Sequence, residues 1–144
     1  LLNHEGVEDL QLCKEISQRL SESGTVVLKN GLSAIDIKAF IGSVDAVISS
    51  RFHGCVSALT QGVPCLSTSW SHKYEMLFQE YSVGENVLDF KILPLELEKI
   101  LMQFNQSLME QNRKLIIHAE SVKNENRNMW KQVFSQLASF NKLS

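Results

Sequence analysis

The chain has 144 residues, of which 44% are hydrophobic and 21% are charged, and its formal net charge is -2. This length predicts one domain with its own hydrophobic core. The composition is that of an ordinary globular protein, and the slightly negative charge argues against nucleic acid as a partner, because bulk nucleic-acid binding requires a basic face. No apolar run reaches the roughly 18 residues that cross a bilayer.

Two further features of the sequence bear on its context. The three cysteines, Cys13, Cys55 and Cys65, are odd in number and form no Cys-x-x-Cys pair. They predict reduced, buried thiols in a cytoplasmic protein, and neither a zinc site nor a disulfide framework. The first residue is Leu1 and not methionine, so we expect a fragment of a longer protein, with one wall of any cleft between domains.

The first 93 residues alternate between short apolar runs and segments with helical periodicity. The runs predict strands at residues 1–2, 25–28, 45–49, 64–67 and 86–89. The periodic segments predict helices at residues 7–22, after an N-cap at Ser33, at residues 52–61 and at residues 72–81. Short loops between alternating strands and helices are typical of right-handed βαβ units, so the predicted fold is α/β and Rossmann-like, with a parallel sheet.

The pattern changes at Pro94, where a long tract with apolar residues at helical spacing begins and continues to Leu137. We expect two helices there, with a break near Asn105 or Asn124. The predicted organisation is therefore a single domain over residues 1–144, made of an α/β core at residues 1–93 and C-terminal helices at residues 94–144.

The turn that follows the predicted strand at residues 45–49 carries Arg51 and His53. In open α/β sheets, ligands bind outside the carboxyl ends of the strands. The free N–H groups and the dipole of the following helix favour an anion there. A fixed cation beside an imidazole that titrates near neutral pH indicates chemistry on a phosphate or a carboxylate.

A second polar cluster follows the next strand and includes Ser69, His72 and Lys73. If the two strands are neighbours, both clusters project from one edge and form a crevice suited to a small polyanion, without a metal. Arg51 would hold the anion through two hydrogen bonds and Lys73 as a point charge. His4, after the first predicted strand, could reach the same edge.

Each of these side chains also has an ordinary structural explanation. Arg51 could pair with Asp45 or Glu75, since an arginine at a helix start opposes the dipole unless an anion is near. His53 could be a buried histidine with its hydrogen bonds satisfied. Lys73 could be a solvated surface lysine, and His4 a turn residue.

Three segments together resemble the polysaccharide pyruvyl transferase family. They are residues 45–54 (DAVISSRFHG), the Gly-Val-Pro at 62–64, and the Trp-Ser-His-Lys-Tyr at 70–74. The Arg-x-His pair with a downstream Gly-x-Pro and lysine is moderately specific, and the resemblance extends over roughly residues 1–89. It implies a two-domain architecture like that of GT-B glycosyltransferases, of which this chain would be the C-terminal domain.

The resemblance also implies a reaction. The donor substrate would be phosphoenolpyruvate, with no cofactor, and the acceptor a sugar of a cell-surface polysaccharide or of its lipid-linked precursor. The product would be a pyruvate ketal. Arg51 would bind the donor's phosphate or carboxylate, His53 would contact the donor and act as general acid, and Lys73 and Ser69 would complete the donor site, with His4 and His72 as further candidates. Without an acceptor-binding half, this chain would be inactive in turnover.

Two other functions remain open at this point. A nucleotide-sugar glycosyltransferase or epimerase of the same architecture would use Arg51 and Lys73 for a diphosphate, with Glu75 or Glu80 as the acidic residue on the ribose. A non-catalytic binding or assembly module would hold Arg51 and His53 in internal ion pairs. The expected location is the cytoplasm or the inner face of the membrane, and the sequence does not define the oligomeric state.

Overall fold

The structure is a computed structural model that describes residues 1–3, 6–20, 27, 29–69, 71–89 and 91–140. Its elements in chain order are helix α1 (Gly6–Leu20), helix α2 (Ala34–Ile41), strand β1 (Val47–Ser49), helix α3 (Phe52–Leu59), strand β2 (Cys65–Ser69), helix α4 (His72–Glu80), a 3-10 turn (Gly84–Asn86), strand β3 (Val87–Asp89) and helix α5 (Pro94–Phe140). Of the predicted strand at residues 25–28 the structure describes residue 27 alone, and the predicted site residue His4 lies outside the described residues.

The three strands form a parallel sheet in the order β1-β2-β3. Val47 pairs with Cys65 and Ser49 with Ser67, while Ser67 on its other side pairs with Val87. Leu2 and Lys29 form a separate parallel bridge. The α/β fold with a parallel sheet and flanking helices is therefore confirmed, and β1 and β2 are neighbours.

Local sequence signals explain where the short helices begin and end. Ser33 caps α2 through a reciprocal capping box with Asp36. Gly62, which follows α3, has φ of +78°, a backbone conformation that glycine adopts without steric cost. A Cβ at this position would also lie 2.5 Å from Cγ1 of Ile116, so the glycine allows α5 to pack closely against the end of α3.

The core is divided between two clusters. The larger one contains the fully buried Leu59, Phe78 and Leu115, with Cys55 and Cys65 among its members. The smaller one joins Leu66 and Leu88 of the sheet to Phe104 of α5. Because Cys65 and Leu66 are consecutive in β2, their side chains point to opposite faces, and both faces of the sheet are covered.

The C-terminal tract is one continuous helix of 47 residues, so the predicted break near Asn105 or Asn124 is wrong. Asparagine lowers helix propensity by well under 1 kcal/mol, and the tract contains no glycine and no proline after Pro94, so nothing in it forces an interruption. Up to Ala119 the helix packs against the core, and beyond Val122 every side chain described is exposed. No helix in the described ranges is long and apolar enough to span a membrane.

Candidate functional site

The turn between β1 and α3 is built around the hydroxyl of Ser49. Its Oγ accepts a hydrogen bond from the backbone N–H of Arg51 at 3.0 Å and donates one to the Arg51 carbonyl at 3.1 Å. A Cβ at Gly54 would lie 2.6 Å from the same Oγ. The glycine of the Arg-Phe-His-Gly sequence therefore lets the first turn of α3 lie directly on Ser49, which fixes Arg51 at the N-cap position.

Arg51 forms a two-pronged ion pair with Asp9 of α1. Nε of Arg51 is 3.0 Å from Oδ2 of Asp9, and Nη2 is 2.5 Å from Oδ1. The Arg51 side chain remains 49% exposed and that of Asp9 21% exposed. The alternative prediction of an internal ion pair is thus correct in kind, but its partner is Asp9, and not Asp45 or Glu75 as predicted.

Tyr74 of α4 connects the turn between β2 and α4 to the turn between β1 and α3. Its hydroxyl donates a hydrogen bond to the carbonyl of Ser50 at 2.8 Å, and its ring meets that of Phe52 edge to face at 5.3 Å. Burial raises the pKa of Tyr74 above its ordinary value of 10.0, so the hydroxyl remains a donor at neutral pH. These contacts hold the N-termini of α3 and α4 side by side at the carboxyl edge of the sheet.

The Phe52 ring contacts both Lys73 and His53. Nζ of Lys73 lies 4.9 Å from the centre of the Phe52 ring, in a cation–π contact. The His53 ring packs edge-on against the same phenyl ring, with the centroids 6.1 Å apart. Both His53 and Lys73 are exposed. His53 is therefore not a buried histidine, and within the described part of the chain it takes part in no ion pair.

The remaining predicted site residues are less closely integrated. Ser69 ends β2 at the same edge, and its side chain lies outside the described part of the structure. His72 begins α4, and its Nδ1 is 3.1 Å from Oε2 of Glu75 on the same helix. Its side chain is 78% exposed, and no contact with Arg51 or His53 is present in the described chain.

Sequence reasoning missed the two residues that organise this edge, Asp9 and Tyr74. Asp9 lies in the first turn of α1, which follows the first strand segment as α3 follows β1. An acidic residue in the first turn of a preceding βα unit is a signal that could have placed it at the same edge. Tyr74 could have been assigned as a buried anchor from its position next to Lys73 in the first turn of an amphipathic helix.

Two thiols lie beneath the site. Cys55 is on the buried side of α3, and its Sγ is 3.8 Å from the carbonyl oxygen of Ser49. A hydrogen bond from Cys65 lowers the pKa of Cys55 and raises that of Cys65. Both are free and fully buried, as predicted, and they support the turn from inside without facing the exposed edge.

This geometry suits an anion of small size. A guanidinium, an ammonium, an imidazole and two helix N-termini lie at one edge of the sheet. A cavity of about 380 Å³ has Asp9, Ser49, Ser50 and Arg51 in its lining, together with apolar residues of α1 and α2, and neither His53 nor Lys73 lines it. Among the described residues, no three His, Cys, Asp or Glu side chains come together as ligands of a metal would.

Comparison with known proteins supports one family. The model of the polysaccharide pyruvyl transferase family matches residues 1–72, which is half of the chain. The match includes Arg51, His53 and Gly54 and ends one residue before Lys73. No curated protein and no solved structure gives a significant match. The chain therefore belongs to the polysaccharide pyruvyl transferase family, which is a family of enzymes.

Proposed function

We propose that this chain provides the phosphoenolpyruvate-binding half of an enzyme that transfers pyruvate to sugar hydroxyls of a cell-surface polysaccharide or of its precursor. One observation carries the proposal. Arg51, His53 and Lys73 lie at the same edge of the sheet, exposed to solvent, beside the N-termini of α3 and α4. Family membership supports the reaction type, and this cluster is the place that we propose for the anionic donor.

The chemistry defines what the site must do. When a sugar hydroxyl adds to C2 of phosphoenolpyruvate, its proton leaves and C3 gains a proton to become a methyl group. A second hydroxyl then takes the place of the phosphate on C2, and its proton passes to the departing phosphate, which gives the ketal and inorganic phosphate. Protonation of C3 develops positive charge on C2 next to the carboxylate, and departure of the phosphate leaves negative charge on its oxygen.

The residues at the edge meet these requirements in different ways. Arg51 can hold a phosphate or carboxylate through two parallel hydrogen bonds. Lys73 is restrained by its contact with Phe52 and adds a second positive charge. His53 is the candidate donor of the proton to C3, and its contact with Phe52 orients the imidazole ring.

Binding of the donor is the appropriate test, because it does not require an acceptor. The chain is heated in the presence of phosphoenolpyruvate or of UDP, and the unfolding temperature is compared. A ligand at one hundred times its Kd stabilises a protein by about 2.7 kcal/mol, which in a domain of this size raises the unfolding temperature by roughly 5 to 10 °C. We expect this response for phosphoenolpyruvate and not for UDP.

Four variants, one of them a control, refine the test. Arg51→Ala should abolish the response, and Arg51→Lys should retain part of it, because lysine keeps the charge and loses the planar two-pronged geometry. Arg127→Ala is the matched control, since Arg127 is exposed on the distal part of α5, where its Nη1 donates to Oδ1 of Asn124 at 3.1 Å. His53→Gln should bind the donor, because glutamine keeps hydrogen-bonding capacity and loses proton transfer.

Other outcomes would redirect the proposal. Stabilisation by UDP and not by phosphoenolpyruvate would favour a nucleotide-sugar enzyme. An equal response of Arg51→Ala and Arg127→Ala would place the donor elsewhere. No response to either compound would favour the non-catalytic binding module.

A further inference from the structure

The carboxylate of Asp9 lies where an anionic ligand would meet Arg51. It takes the two parallel hydrogen bonds, from Nε and Nη2, that a phosphate or a substrate carboxylate would take. Asp9 belongs to α1, and it is 42 residues away from Arg51 in the chain. At the Arg51 guanidinium, the place proposed for the anion is therefore taken by a group of the protein itself.

The pair is placed so that it can separate. The Arg51 side chain is about half exposed, and exposed ion pairs contribute little net stability because water and salt solvate both partners well. Asp9 also lies in the first turn of α1, where the helix dipole favours a carboxylate whether or not a cation is present. When the pair separates, Arg51 is thus at least half exposed, and Asp9, which is 21% exposed in the pair, keeps its favourable place at the helix N-terminus.

We propose that Asp9 is an internal competitor of the ligand anion, which occupies the Arg51 guanidinium in the free protein and is displaced when the anion binds. This inference rests on the proposed function for the identity of the ligand, but the competition concerns any phosphate or carboxylate. Asp9 then raises the apparent Kd of the anion by the reciprocal of the fraction of molecules in which Arg51 is not paired with it. A merely positioning role for Asp9 would have the opposite effect, because removal of its carboxylate would loosen Arg51 and weaken binding.

The experiment measures the Kd of inorganic phosphate and of phosphoenolpyruvate by calorimetric titration at fixed ionic strength. Asp9→Asn removes the charge with little change of shape, and Asp9→Ala is a second variant in case the first does not fold. Glu8→Gln is the matched control, since Glu8 is an exposed carboxylate in the same first turn of α1. It reports the effect of one negative charge at that helix end.

We expect Asp9→Asn to bind phosphate about two- to sixfold more tightly than Glu8→Gln does, which is the range for release of an exposed ion pair. If the Kd of Asp9→Asn for phosphate were equal to or higher than that of Glu8→Gln, the inference would be overturned. Tighter phosphate binding without any preference for phosphoenolpyruvate would uphold the inference and contradict the proposed donor. Failure of every variant to bind either anion would overturn both.

Discussion

Replacement of Gly54 by alanine tests how the turn under Arg51 is built. The added Cβ would lie 2.6 Å from Oγ of Ser49, and the next nearest atom, Cβ of Ser49, would be 3.4 Å away. Relief of the contact requires the Ser49 hydroxyl to move, which breaks its two hydrogen bonds with Arg51. Each such bond contributes about 1 kcal/mol, whereas alanine in place of glycine favours a helix by up to about 1 kcal/mol. We therefore expect Gly54→Ala to lower the free energy of unfolding by about 1 to 2 kcal/mol.

The Ser49→Ala background isolates the contact. Without Oγ, the nearest atom to the Cβ added at position 54 is the Cβ of residue 49, at 3.4 Å. Gly54→Ala should therefore be neutral or stabilising in the Ser49→Ala background. The coupling between the two changes is then about 1 to 3 kcal/mol, and urea unfolding of the four proteins in this double-mutant cycle measures it. An equal cost of Gly54→Ala in both backgrounds would refute the reasoning.

Three further predictions concern the scaffold around the site. Gly62→Ala should cost about 2 to 4 kcal/mol in thermal unfolding, because the position has φ of +78° and the new Cβ would overlap Ile116; a cost below 1 kcal/mol would contradict the packing described. Tyr74→Phe should cost about 1 kcal/mol through loss of the bond to Ser50. The pKa of Tyr74 is raised in the folded state, so its protonated hydroxyl contributes fully to the free energy of unfolding below pH 10.0. This contribution is lost as the pH rises further, and the loss of stability at high pH should therefore be smaller in Tyr74→Phe. Amides of α5 beyond Ala119 should exchange hydrogen faster than earlier ones, which pack on the core; equal protection would be inconsistent with the exposed end.

Much of the fold follows from local signals in the sequence. The strand at Val47–Ser49 and the helix beginning at Phe52 were predicted because β-branched and apolar residues change there to helical spacing. The cap at Ser33 was predicted for a similar reason, since the capping box is a local pattern. The continuity of α5 was not predicted, because asparagine is a weak signal against a helix and the packing of Phe104 and Leu115 outweighs it.

In the candidate site, too, local features could be predicted from the sequence and tertiary contacts could not. The order of strands and helices predicts Arg51 and Lys73 at the carboxyl ends of β1 and β2, and the pairing of these two strands is confirmed. The pairing of Arg51 with Asp9 joins groups far apart in the sequence, and its choice over Asp45 or Glu75 depends on where α1 packs. The role of Phe52 as a support for Lys73 likewise depends on tertiary contacts that periodicity does not encode.

The most direct test of the central claim is an NMR titration of the isotopically labelled chain with phosphoenolpyruvate, with observation of backbone amides and of histidine and arginine side chains. The account predicts that the shifts concentrate at residues 49–54 and 71–74, with the Nε–H resonance of Arg51 and the ring of His53 among the largest. Shifts confined to other parts of the chain, or none at saturating phosphoenolpyruvate, would contradict it.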